Sequence, residues 1–119
     1  MKTIAHREQA SSTIQVDNER VRVTEYTFES GDETTFHRHE WDYVVVPQTD
    51  GELLLVDGDG NETRASLTSG ISYYRKAGVE HNVINAGDQP LTFIEIEMKA
   101  HSIESVSYTH LTLPTICSV

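Results

Sequence analysis

The stretch Gly31-Asp32-Glu33-Thr34-Thr35-Phe36-His37-Arg38-His39 decides what fold and what ligand we expect of this chain. In a β-strand, side chains two positions apart point to the same face of the sheet. His37 and His39 would therefore present two imidazoles on one face, with Arg38 on the other. A neutral imidazole nitrogen offers a lone pair to a divalent transition metal without adding charge. The stretch therefore predicts part of a metal site carried by a strand.

A second stretch, Gly78-Val79-Glu80-His81-Asn82-Val83-Ile84-Asn85, supplies a third histidine on another predicted strand. His81 would complete a half-shell of imidazoles around one ion. The alternative is a set of partly buried histidines satisfied by hydrogen bonds, which suits a lone histidine better than three. We expect Asn85 to hold a turn at the end of its strand rather than to bind the metal.

The rest of the chain consists of short strand-like segments. No window shows the i, i+3, i+4, i+7 apolar spacing of an amphipathic helix. Asp57-Gly58-Asp59-Gly60-Asn61 is the strongest hairpin pattern in the sequence. The predicted strands cover residues 13–16, 21–28, 41–46, 52–56, 63–67, 71–75, 79–84 and 91–98. Short strands without helices predict an all-β jelly-roll barrel, in which alternate residues face the interior and histidines from two strands can meet.

Size and charge narrow the classes of function. A chain of 119 residues is expected to form one domain. With 19 acidic against 9 basic residues, its net charge of −10 would repel nucleic acid and anionic lipid. Neither is an expected partner. The sequence begins without the apolar run of a signal peptide and has no apolar stretch long enough to span a membrane, so we expect a cytoplasmic protein.

The end of the chain differs in character from the rest. Residues 106–119 contain no charged side chain, and Val106-Ser107-Tyr108-Thr109-His110-Leu111 resembles the translation of a transposase adapter used in DNA library preparation. We interpret residues 106–119 as a non-native tail and assign no role to its His110 and Cys117. The alternative is a genuine final strand, because threonine, leucine, isoleucine and valine suit one. We therefore expect one barrel domain over residues 13–99, preceded by an N-terminal extension over residues 1–12.

Taken together, the two stretches resemble the motifs of the cupin superfamily, G-x5-H-x-H-x3,4-E-x6-G and G-x5-P-x-G-x2-H-x3-N. Residues Gly31, His37 and His39 match the first motif, and Gly70, Gly78, His81 and Asn85 match the second. Lys76 stands where the second motif has proline. The resemblance covers roughly residues 13 to 98. It implies a small single-domain cupin with a double-stranded β-helix, or jelly-roll, barrel.

The metal-binding glutamate of the first motif has no direct counterpart. Tyr43 and Val44 occupy its two permitted spacings, and Asp42 stands one residue earlier. If the segment shortens by one residue, Asp42 takes the glutamate's place; if it does not, Tyr43 faces inward and the site has three histidines only. Glu40 is adjacent to His39 and would point away from it. The candidate metal ligands are therefore His37, His39 and His81, with Asp42 as the candidate fourth.

Such a site implies one divalent transition metal ion, which would be Fe, Mn, Ni or Zn. The resemblance implies a metalloenzyme of dioxygenase or isomerase type acting on a small organic acid, or alternatively a non-catalytic module that binds or senses a small molecule. Small cupins similar to this one are sometimes placed in amino-acid catabolism, including β-alanine breakdown. A structural role like that of seed-storage cupins fits poorly, because those are bicupins. Similar cupins commonly form homodimers through an N-terminal strand, which predicts a homodimer in which residues 13–16 make the contact.

Overall fold

The computed structural model describes residues 7–99. The tail predicted at residues 106–119, and the first six residues of the predicted N-terminal extension, lie outside that range. The strands are β1 (Ser11–Asp17), β2 (Val21–Phe28), β3 (His37–Arg38), β4 (Asp42–Pro47), β5 (Gly51–Val56), β6 (Glu62–Leu67), β7 (Tyr73–Arg75), β8 (Glu80–Asn85) and β9 (Leu91–Met98). Residues 7–99 contain no helix, which confirms the all-β prediction. Residues 7–99 therefore include no helix that could span a membrane.

The strands form two sheets. One has the order β1-β2-β9-β4-β7 and the other the order β3-β8-β5-β6. Every pairing between these strands is antiparallel, and most neighbours are far apart in sequence, as expected of a jelly roll. The shared interior is apolar, and its buried residues are Phe28, Tyr43, Val45, Leu53, Leu67, Val83, Leu91 and Phe93.

Strand alternation explains which residues form this core. Along β4, the buried positions are Tyr43, Val45 and Pro47, while the residues between them are only half-buried. Strand β9 buries alternate residues from its start in the same way, and Phe93 packs against the ring of Phe28 with centroids 5.6 Å apart. A period of two is what a sheet with one face on the core requires.

The predicted strands agree closely with the observed ones. Strands β2 and β9 have the predicted bounds, and β1 begins two residues earlier than predicted, at Ser11. The predicted hairpin between β5 and β6 is confirmed, since the Asp57 carboxylate accepts the backbone N–H groups of Asp59 and Asn61. Gly60 has a φ of 86°, which glycine adopts without strain.

Two pairings position the histidines. β3 pairs with β8, which places His37 directly opposite His81. His39 follows β3 and is fixed by its backbone, since its N–H donates to the Val79 carbonyl and its own carbonyl accepts from the Gly78 N–H. The two motif stretches are thus hydrogen-bonded to each other along one end of the barrel.

Candidate metal centre

The three histidines meet at their Nε2 atoms. Nε2 of His39 lies 3.0 Å from Nε2 of His37 and 3.3 Å from Nε2 of His81. His39 and His81 are buried, with 5% and 8% of their surface exposed, and His37 is half-buried. This arrangement agrees with the prediction. Histidines from the two motifs come together on the inside of the barrel.

The spacing of the nitrogens fits a bound metal ion. An imidazole nitrogen lies about 2.0–2.1 Å from zinc, so two nitrogens on one such ion stand about 2.9 Å apart at a right angle and about 3.4 Å apart at a tetrahedral angle. The observed separations of 3.0 and 3.3 Å lie within that range. Three facing nitrogens with no carboxylate among them form a donor set for one divalent transition metal.

The backbone orients the ring of His37. Its Nδ1 lies 2.9 Å from the carbonyl oxygen of Thr35. A carbonyl oxygen can only accept, so Nδ1 carries the proton and Nε2 keeps its lone pair for a metal. The Thr34 hydroxyl also lies 3.3 Å from Nδ1.

The carbonyl of Thr35 reaches His37 because the chain bulges there. Thr34 donates its N–H to the Val83 carbonyl, and His37 pairs with His81. Between these two pairings the chain advances three residues on one side, from 34 to 37, but only two on the other, from 83 to 81. The extra residue is accommodated by Thr35, whose φ of 75° is an uncommon conformation for a β-branched residue. Strain of this kind is typical of functional sites.

Glu95 is the functional residue that the sequence analysis missed. It lies on β9, is 6% exposed, and places a carboxylate oxygen 3.9 Å from Nδ1 of His39. With Glu97 it forms a second group of candidate ligand atoms around His39. The carboxyl group stands on the opposite side of the imidazole from the Nε2 cluster, where its negative charge, once it is ionised, would raise the basicity of the ring. Leu91 and Phe93 share its inward face, but Ile94 and Ile96 make the other face of β9 apolar as well, so alternation alone leaves the direction of Glu95 open.

Burial sets the charges of the site. It lowers the pKa of His39 to about 3, with the nearby His37 and His81 adding to the effect. Burial likewise lowers the pKa of His81 to about 4, with contributions from His37 and Arg75. Burial, together with a smaller contribution from the neighbouring Glu97, raises the pKa of Glu95 to about 8. Both buried imidazoles are thus neutral at pH 7, which is the form that binds a metal.

Asp42 is not brought into the histidine cluster. Its carboxylate accepts the hydroxyl of Tyr74 at 2.6 Å and the backbone N–H of Ala77 at 2.8 Å. These bonds hold its pKa below the usual range, the Tyr74 bond having the larger effect. β4 runs without an irregularity from Asp42 onward, so Tyr43 takes the inward position instead. Of the two alternatives left open by the sequence, the observed backbone corresponds to the one in which Tyr43 faces inward.

A cavity of about 210 Å³ adjoins the cluster. Its lining includes His37, Glu95, Thr34 and Tyr26, and a wall is formed by Gln9, Ala10 and Ser12 from the start of the described chain. The volume suits a small organic molecule, and the lining is a mixture of hydroxyl, amide and carboxyl groups with aromatic surface. The aromatic residues Tyr26 and Tyr73 face the interior, whereas Trp41 borders a separate surface hollow.

Asn85 has the structural role expected of it. It is 2% exposed, and its amide donates to the carbonyls of Glu29 and Gln89 while its side-chain oxygen accepts the N–H of Gly87. The side chain ties the end of β8 to the loops on either side.

Comparison with known proteins gives consistent matches. A family model described as a cupin domain matches residues 24–97. The chain is 56% identical over 93 residues to the β-alanine degradation protein BauB of Pseudomonas aeruginosa, a match that covers 78% of this chain and 97% of that protein.

Solved structures agree. A cupin domain from Bordetella pertussis Tohama I is 54% identical, with a TM-score of 0.77, over 81% of this chain and 99% of that one. A conserved protein with a double-stranded β-helix domain from Klebsiella pneumoniae has a TM-score of 0.64 at 20% identity, over 80% of this chain and 81% of that one. The second likeness concerns the fold alone.

Proposed function

This chain belongs to the cupin family, and we propose that it is a metal-dependent cupin that acts on a small organic acid in the breakdown of β-alanine. The proposed ligands are His37, His39 and His81, and the proposed ion is one of Fe, Mn, Ni or Zn. The metabolic assignment is taken from the 56% identity to BauB over nearly the whole of that protein.

The convergence of the three Nε2 atoms is the observation that carries this proposal. Two of them belong to buried imidazoles whose lowered pKa values keep them neutral, and the third belongs to a ring oriented by the Thr35 carbonyl. Desolvating three imidazoles at one point, with nitrogens 3.0 and 3.3 Å apart, is costly unless an ion fills the space between them.

His37, His39 and His81 would hold the ion without neutralising its charge, and when bound it would supply Lewis-acid activation of an oxygen donor or, if it is redox-active, reaction with dioxygen. The protein's own groups then have separate tasks. The carboxyl group of Glu95, 3.9 Å from Nδ1 of His39, acts on that ring through its charge when it is ionised, not through a hydrogen bond. Tyr43 packs on the same ring and excludes water from one side. Thr34, Tyr26 and Ser12 offer hydroxyl groups along the cavity beside the histidine cluster.

A non-catalytic binding or sensing cupin is the second candidate. The cavity supports it as well as it supports an enzyme, because one of its walls is formed by Gln9, Ala10 and Ser12 at the start of the exposed edge strand β1, and movement of this segment would change access to the site. The fold hosts both uses.

We also propose that the protein is a homodimer. β1 is the outer strand of its sheet, and Ile14 and Val16 are 57% and 42% exposed on it. An edge strand that exposes apolar side chains gains stability when a second chain covers it. Size-exclusion chromatography with light scattering of the wild type beside Ile14→Lys would test this, with a monomeric wild type contradicting it.

The decisive experiment measures metal content by elemental mass spectrometry on protein purified without chelators or a histidine tag. We expect about one equivalent of Fe, Mn, Ni or Zn, lost in the double variant His37→Ala/His81→Ala. The loaded protein is then assayed for turnover of small organic acids. A wild type that holds no metal and takes up none would refute the metal-dependent function. Metal-loaded protein that is stabilised by an acid but does not convert it would favour the binding module.

A further inference from the structure

Arg75 lies at the end of β7, on the inner face of the five-stranded sheet. Backbone pairing places it opposite Tyr43, and places Tyr73 opposite Val45. Residues directly opposite each other share a face of the sheet. Because Tyr43 and Val45 are both buried in the core, Arg75 and Tyr73 must point toward the interior of the barrel.

The side chain of Arg75 is held against that inner face. Its guanidinium carbon lies 4.9 Å from the centroid of the Tyr73 ring, and that ring packs against the hydrophobic core. A cation–π contact of this kind restrains the guanidinium, which would otherwise extend into solvent. Arg75 also borders a narrow gap in the interior that His81 and Glu95 line as well. Arg75 is exposed overall, so its guanidinium lies at the rim of the gap that His81 also lines.

Arg75 has no acidic partner among residues 7–99, although the protein carries a net charge of −10. Three other arginines, Arg22, Arg38 and Arg64, each pair with a carboxylate at 3.3 to 3.9 Å. A guanidinium that faces a site and is paired only with an aromatic ring keeps its N–H groups free for a ligand. Its planar fork matches the two oxygens of a carboxylate.

We propose that Arg75 binds the carboxylate of the site's small-molecule ligand, an inference that rests on the proposed metal site. The ligand class is a small organic acid with a free carboxylate and a second oxygen donor that faces the histidines. The gap beside Arg75 measures about 20 Å³, which is room for about one water molecule. Because the gap holds no more than that, the carboxylate stays against the exposed guanidinium of Arg75, and only the ligand's second oxygen donor enters the gap, on the side that His81 lines.

The test uses metal-loaded wild type and three variants, Arg75→Ala, Arg75→Lys and Arg64→Ala. The last is a matched control, because Arg64 is an exposed arginine on β6. The probes are glycolate, lactate, 3-hydroxypropanoate and malonate, each beside its amide, with affinity measured by calorimetry and metal content measured on the same samples.

We expect at least one acid to bind the wild type about tenfold or more tightly than its amide. Arg75→Ala should remove that preference by weakening the acid alone, Arg75→Lys should keep part of it, and Arg64→Ala should keep all of it. Metal content should be equal throughout. An Arg75→Ala protein that keeps the full preference, or a metal-loaded wild type that prefers no acid over its amide, would overturn the inference. A wild type without metal would instead refute the proposed function, and this inference with it.

Discussion

The ring of Tyr43 lies flat on the ring of His39, with centroids 3.9 Å apart and 16° between the planes. Tyr43 occupies one of the two positions at which the first cupin motif has its metal-binding glutamate. At this motif position the chain therefore has an aromatic ring that covers one face of the central imidazole instead of a carboxylate. The buried carboxylate near this imidazole comes instead from Glu95 on β9, on the Nδ1 side.

Replacing Asp42 with asparagine should leave metal content unchanged. Its carboxylate is occupied by the Tyr74 hydroxyl and the Ala77 N–H, so its loss loosens the β7–β8 loop without touching the histidines. Elemental mass spectrometry on Asp42→Asn beside His37→Ala provides the comparison. Loss of metal in both proteins would place Asp42 in the site.

Above about pH 8, where Glu95 is ionised, Glu95→Gln should weaken metal binding about tenfold or more, because the carboxylate near Nδ1 of His39 makes that imidazole a better donor. Competition with a chelator of known affinity would measure the change. Glu62→Gln, an exposed substitution on β6, is the matched control and should bind as the wild type does. Equal affinities in the wild type and Glu95→Gln would show that Glu95 does not act through His39.

Alkaline pH should destabilise the metal-free protein through Glu95. Its pKa is about 8 in the folded state against an ordinary value of 4.5, so its contribution to stability is full below 4.5 and is lost as the pH rises through 8. Urea unfolding of chelator-treated protein, from about pH 5 to about pH 9, covers the range between the two pKa values. The free energy of unfolding should fall across this range in the wild type and fall less in Glu95→Gln. Parallel curves would contradict the buried acid.

Acidification should destabilise the metal-free protein through His39 and His81. Their folded pKa values of about 3 and about 4 lie below the ordinary 6.5, so between those values the unfolded chain binds protons that the folded chain does not. The free energy of unfolding should therefore fall as the pH drops from about 6.5 to about 4. His81→Asn should show a shallower slope in urea titrations, and an unchanged slope would argue against neutral buried imidazoles.

Asn85→Ala should lower the free energy of unfolding by about 2–4 kcal/mol, since it leaves buried carbonyls and an N–H without partners. Asn61→Ala removes an exposed asparagine from the β5–β6 turn and should cost about 1 kcal/mol or less. Chemical denaturation of both variants provides the measurement. A loss in Asn85→Ala no larger than in Asn61→Ala would contradict the structural role.

The histidine cluster and the all-β fold could be predicted from the sequence. Side chains two positions apart in a strand share a face, so the spacing of His37 and His39 already placed them together, and His81 came from a second predicted strand. Glu95 was harder to recognise. Ile94 and Ile96 flank it, so β9 has apolar residues on both faces and its inward side is ambiguous without the partner sheet. The conformation of Thr35 has no signature in sequence, because a β-branched residue is disfavoured there. It is imposed by hydrogen bonds on either side of the bulge, which join residues distant in sequence.

The wall formed by Gln9, Ala10 and Ser12 matters for how this protein is handled at the bench. A shortened gene starting at residue 13 would still encode all three histidines and Glu95, yet it would leave one side of the cavity open. A fusion tag placed close before residue 9 would sit at the mouth of the same cavity. Metal loading and ligand selectivity can therefore be lost independently, and an inactive preparation with full metal content would point first to its N-terminus.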